Sequence, residues 1–161
     1  MSAGSRVLGF SWPVLAGLAA LAAPRVVLHD LDLVQEGTFV NALLVFVPLV
    51  CWIAAVLWRR PPRPFLTLVV VGAIYGVFLA AGHQLLWAEA FGGDGPRLGG
   101  NLADVDPAVQ EAMLRTAALL SSLVTGVVVG VVTGAVAALL GRFVPQRPSG
   151  SPGRAAARDG S

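Results

Sequence analysis

The side chains with chemistry to offer are few. His29, Asp30, Asp32 and Glu36 fall in one short stretch, and His83, Gln84 and Glu89 in another. Two imidazoles and a carboxylate form a donor set for zinc or another divalent ion. No H-x-x-x-H or H-E-x-x-H spacing accompanies them, so no metal ligand is assigned. A haem held by His29 and His83 would need ligands from helices at matched depth, and His29 reads as lying beyond the first apolar run. No cofactor is assigned. His83 is the one strongly titratable side chain well inside an apolar run, where an ionisable group is a functional candidate by default. With Gln84 beside it, it forms the candidate functional polar pair, for proton sensing or ligand binding. Trp87 follows one turn later, the depth of an aromatic belt, which favours a hydrogen-bonded interfacial histidine instead.

Catalytic groupings are missing. There is no Ser/His pair in facing apolar segments and no Asp pair, so the chain is not expected to be an enzyme. Gly92 to Gly100 lacks both the P-loop and the dinucleotide fingerprint. It reads as a flexible loop. Cys51 stands alone, which rules out an intrachain disulfide and a Cys-ligated cluster.

What would position these groups is set by composition. The 161 residues are 56% hydrophobic and 12% charged, with mean hydropathy +0.77. Soluble domains carry about 25% charge. The expected class is an all-α integral membrane protein, with four transmembrane helices in an antiparallel bundle and a disordered C-terminal tail. Residues 1–144 read as the transmembrane domain and 145–161 as the tail, rich in Arg, Pro, Gly, Ser and Ala with little to bury. The spans are expected at about 7–23, 38–58, 65–88 and 116–140, each near the length that crosses a bilayer. Ala20-Leu21-Ala22 before Ala23 also matches a signal-peptide cleavage pattern. Retention of the first run is the preferred reading, and cleavage would leave three spans.

Prolines mark the boundaries. Pro13 and Pro48 are expected to kink the first and second spans. Arg59 to Pro64 (RRPPRP) is short and stiff, so spans two and three should form a hairpin. Pro24 to Gly37 reads as an interfacial segment. Asp106-Pro107 is a helix start, with Asp as the cap and Pro in the first turn. Helix from Pro107 to Arg142 would overshoot the bilayer, leaving its first turns in water or at the surface.

Two rows of small residues recur every fourth position: Gly72, Gly76 and Ala80 in the third span, and Ser122, Gly126, Gly130, Gly134 and Ala138 in the fourth. In lipid such rows let helices approach backbone to backbone. The preferred reading is packing of spans three and four on each other. The sharper one is a homo-oligomer or a membrane-protein partner held through the last helix.

All eleven basic residues are Arg, a usage that fits a GC-rich bacterial genome. They sit at the ends of apolar runs and in the tail, not in a stripe suited to nucleic acid. With both termini inside, the inner segments hold Arg6, Arg59, Arg60, Arg63, Arg142, Arg147, Arg154 and Arg158. The outer side holds Arg25, Arg97 and Arg115. That bias sets both termini as cytoplasmic, and the expected location is a bacterial inner membrane, multi-pass. In length and span count the chain resembles the small multidrug transporters. Those carry an embedded Glu in the first span, where this chain has no acid, so proton-coupled cation export is set aside. The expected role is a non-catalytic subunit, assembly or regulatory component acting through helix packing in the lipid bilayer. The alternative is a small homo-oligomeric channel or transporter.

Overall fold

A computed structural model describes residues 7–92 and 95–143. The expected tail, 145–161, lies outside the described residues, as does Arg6. The described chain is helical, with no strand: α1 (Trp12–Ala20), α2 (Ala23–Asp30), α3 (Phe39–Arg59), α4 (Pro64–Leu85), α5 (Trp87–Phe91), a single 3-10 turn (Gly100–Leu102) and α6 (Pro107–Gly141). Four stretches are long and apolar enough to cross a membrane: Trp12–Asp30, Phe39–Arg59, Pro64–Leu85 and Pro107–Gly141.

The first of these starts and ends later than the apolar run 7–23. Pro13 does not kink it. The proline falls in the first turn of α1, where its missing N–H would have been unpaired anyway. The interruption comes instead at Leu21–Ala22, between α1 and α2. Pro24 supplies no N–H to the Ala20 carbonyl, so the α-helical ladder cannot pass. The chain tightens there, with Leu21 N–H donating to Leu18 O at 3.2 Å and Ala22 N–H to Ala19 O at 3.2 Å. Helix then resumes through Asp30, in the stretch expected to be interfacial. A row of buried residues runs unbroken across the interruption: Leu15, Ala19, Ala22, Val26 and Asp30. The break is thus a local adjustment within one long packed element.

That adjustment is pinned from outside. Trp52 of α3 has no exposed surface, and its indole N–H donates to the Leu18 carbonyl at 2.6 Å. A buried indole needs such a partner, and a carbonyl at a helix break is an available one. Tyr75 of α4 meets the Trp52 ring edge-on at 5.9 Å. Thr67, also fully buried, donates to the Leu8 carbonyl at 2.9 Å and so ties the segment before α1 to the start of α4.

Thr38 caps α3 by accepting from Asn41 N–H at 3.2 Å. Pro48 lies inside α3, which runs helical across it. α3 ends at Arg60, whose φ of 50° turns the chain into the proline-rich connection. Asp106 caps α6 by accepting from Ala108 N–H at 2.9 Å. α6 is continuous over 35 residues, about 52 Å at 1.5 Å per residue, against about 30 Å of hydrocarbon.

The most extensive contact in the molecule is between α4 and α6. Phe65 lies against Gly134, Leu68 against Gly130, Gly72 against Gly126 and Gly130, and Gly76 against Ser122 and Gly126. As the numbers rise in one helix they fall in the other. Backbone meets backbone here. A Cβ placed on Gly72 would come within 2.6 Å of Gly130 Cα, and one on Gly130 within 2.6 Å of the Leu68 carbonyl oxygen. Ala138, the last member of its row, is only partly buried, while Thr133 and Ala137 are buried. Residues four apart on a helix are about 40° out of line at 3.6 residues per turn, so a strict four-residue row winds off the contact.

Gly126→Ala should destabilise the fold by about 1–3 kcal/mol, because the added methyl meets backbone that cannot turn aside. Gly17→Ala, on an exposed face of α1 with nothing near the new Cβ, should be neutral or stabilising by about 0.5–1 kcal/mol. Thermal unfolding of the two variants in one mild detergent makes the comparison.

Candidate functional site

One group of polar side chains gathers where α2 and α4 end and α3 and α6 begin. α2 brings Asp30 to this end on the same buried stripe as Val26. The stripe seats tightly on α4, since a Cβ on Gly82 would lie 2.7 Å from Val26 Cγ1. The next residue of α4 is His83, and its Nδ1 stands 2.8 Å from Asp30 Oδ2. The Asp30 side chain is only 5% exposed, whereas that of His83 is 34% exposed. The carboxylate is therefore the group that depends on the pair, and the imidazole keeps access to the surface.

His29 stands to one side, its Nδ1 3.6 Å from Asp30 Oδ1 and its Nε2 3.5 Å from Glu36 Oε1. Arg25 donates from Nε to Asn41 Oδ1 at 3.0 Å and joins α2 to α3. The two histidines thus flank one carboxylate. Even so, among the described residues no three His, Cys, Asp or Glu side chains converge closely enough to hold a metal ion.

Gln84 does not act with His83. Successive helix residues point about 100° apart, and Gln84 turns to α6, donating from Nε2 to the Arg115 carbonyl at 3.0 Å. Arg115 returns the contact, donating from Nη1 to Gln84 Oε1 at 3.3 Å. It also pairs through Nε with Glu111 Oε1 at 2.8 Å and lies 4.8 Å above the buried Trp87 ring. Trp87 in turn packs on Phe91, with ring centroids 4.8 Å apart. Trp87, Glu111 and Arg115 border a cleft of about 460 Å³ that Arg97 and Pro107 also line.

Gln110 was not legible as important from the sequence. It is 3% exposed and uses its whole amide. It accepts from Leu98 N–H at 2.8 Å and donates to the Ala103 and Val105 carbonyls at 3.2 and 2.7 Å. The described part of the glycine-rich stretch is therefore fastened to α6 near Leu98. Asp30 was visible only as one of several acids. Its signal is positional: Val26 and Asp30 are four apart, in register with Leu15, Ala19 and Ala22, which puts a carboxylate on a buried stripe.

Chemically, the buried polar groups at this end of the molecule are paired. Among the described residues no buried side-chain nitrogen or oxygen lacks a hydrogen-bond partner. The described partner of His83 is Asp30, so the imidazole holds a buried carboxylate in place. The fold and this polar cap together define a small helical protein with four stretches fit to span a membrane. No family model, curated protein or solved structure matches the chain.

His83→Ala should cost more stability than Asp30→Asn, because only the first strands a buried carboxylate. A double-mutant cycle on the pair should give a coupling of about 1–2 kcal/mol. Unfolding in detergent measures it, and additive single effects would show that the two side chains do not depend on each other.

Proposed function

We propose that the chain is a four-span integral membrane protein of the bacterial inner membrane, with an antiparallel bundle and both termini cytoplasmic. We further propose that its role is non-catalytic, as a subunit, assembly or regulatory component working through helix contacts.

The observation that carries this reading is the distribution of burial. The glycines of the two rows, Gly72 and Gly76 in α4 and Gly126, Gly130 and Gly134 in α6, are spent on the contact between those helices. The apolar faces left over are large: only 17% of the span window in α3 is buried and 28% of that in α6. Phe39, Leu43, Phe46, Val47 and Val50 of α3 are exposed, as are Leu120, Val124, Val128, Val131 and Val132 of α6. Surfaces of that extent demand lipid or another apolar helix. The pairing of His83 with the buried Asp30 and of Gln84 with Arg115 supports a structural part for both side chains. The homo-oligomeric channel is the weaker reading, because the glycine face that would have joined copies is occupied within the chain.

Cys51 provides a direct test of the membrane part. It is exposed on α3 in the isolated chain. In sealed membrane vesicles it should resist a charged maleimide and react only after the membrane is dissolved or the chain unfolded. Labelling as fast as that of a cysteine introduced at Ser2 would contradict the second span. For the role, mass measurement in nanodiscs should find one copy, alone or with a different membrane protein. A closed homo-oligomer that conducts in a planar bilayer would replace this reading with the channel.

A further inference from the structure

α6 outruns the helix it packs on. Gln84, in the last turn of α4, donates to the Arg115 carbonyl at 3.0 Å. Pro107 to Leu114, about 12 Å of helix at 1.5 Å per residue, therefore stands beyond that level. One side of this extension is held by the chain itself. Gln110 bonds there to Leu98, Ala103 and Val105, and Arg115 lies over Trp87.

The other side is bare and apolar. Val109, Met113 and Leu120 are 50%, 45% and 56% exposed. With Ala108, Ala112 and Thr116 they line an open groove of about 630 Å³. Val109, Met113, Thr116 and Leu120 are spaced by four, three and four, the repeat by which one helix receives the side chains of another. This is not the glycine row that α4 occupies. Hydrocarbon does not suit the whole strip. Val109 stands about 9 Å beyond the polar level of Gln84 and Arg115, whereas Leu120 lies below it. A second helix crossing the same boundary matches the strip along its length, in water and in lipid alike.

Charge narrows the choice of helix. Seven described acids stand at this end of the molecule against Arg25, Arg97 and Arg115. Glu111 is paired with Arg115. Asp104 and Asp106 immediately precede α6 and are exposed. A second copy of the chain, set side by side and in the same direction, would bring the same acids together, which opposes that pairing.

We propose that this groove receives a transmembrane helix of a different membrane protein, apolar on the facing side and continued past the outer surface by basic residues that meet Asp104 and Asp106. The proposal rests on the reading of the chain as a subunit that works through helix contacts, and it gives that reading a surface.

The test follows the access of the groove to water. Val109→Cys and Met113→Cys are made separately in full-length chain carrying Cys51→Ser, with Gln35→Cys as an exposed reference at the same end. A charged maleimide is applied to membranes of the cell that makes the protein and, separately, to the purified chain in nanodiscs. Relative to the reference, positions 109 and 113 should react about tenfold more slowly in the native membranes, the protection of a face covered about nine-tenths of the time. Salt at about 1 M, where screening acts within about 3 Å, should restore several-fold of the rate in those membranes by weakening the charged rim. Equal rates in the two settings, fast or slow, would mean that water or lipid covers the face, and either overturns the proposal. Pairs of chains joined through position 113 on mild oxidation would put a second copy there and overturn it too. Protection that ignores salt overturns the basic partner. The underlying readings fail elsewhere: the membrane reading in rapid labelling of wild-type Cys51, and the subunit reading in a closed homo-oligomer by mass.

Discussion

Everything else in this molecule hangs from the near contact of two backbones. Where α4 crosses α6, Gly72 and Gly76 face Gly126 and Gly130 with no side chain between them. Water contributes no hydrophobic drive between helices in hydrocarbon, so association rests on close packing and on weak polar contacts between backbones. Glycine supplies both by letting the axes approach. It also makes the contact intolerant, since any added carbon must displace backbone. The pair is thereby fixed in register and depth, and the other elements are placed against it.

The first long apolar stretch, Trp12–Asp30, shows how a flawed helix is accommodated. Pro24 breaks the ladder, yet the buried stripe continues through Leu15, Ala19, Ala22, Val26 and Asp30. Trp52 takes the carbonyl beside the break, and Gly82 makes room for Val26. Because the helix resumes, Asp30 reaches the depth of His83 while still buried. A buried pair of ionisable side chains in such a place is weak evidence for stability on its own, since desolvation offsets the attraction. Its clearer consequence is a polar tie between α2 and α4, since one helix supplies the carboxylate and the other the imidazole.

The two ends of the bundle differ in kind. One carries the acids of the described residues, both histidines and the interlocked Gln84, Arg115, Trp87 and Gln110. The other carries Arg59, Arg60, Arg63 and Arg142 around small residues and prolines. A strongly polarised pair of ends with apolar flanks between them is what a bilayer with a negative inner surface selects. The functional reading follows from that asymmetry and from the apolar area left uncovered on α3 and α6.

Much of this was determined by sequence alone. Four long apolar helices, the Asp106 cap, the Glu111–Arg115 pair and the two small-residue rows are local or periodic features, and local rules state them. Only the tertiary structure decided three further matters. Pro13 and Pro24 each fall in the first turn of a helix, α1 and α2, but only Pro24 interrupts a continuous buried stripe, because the packed face runs from Leu15 through Asp30. His83 and Gln84 part company because neighbours on a helix point to different partners, and the partners come from elements far away in the chain. The four-residue row hands its contact to Thr133 and Ala137 because 3.6 residues make a turn, and only a neighbouring helix determines which of the drifting faces is covered.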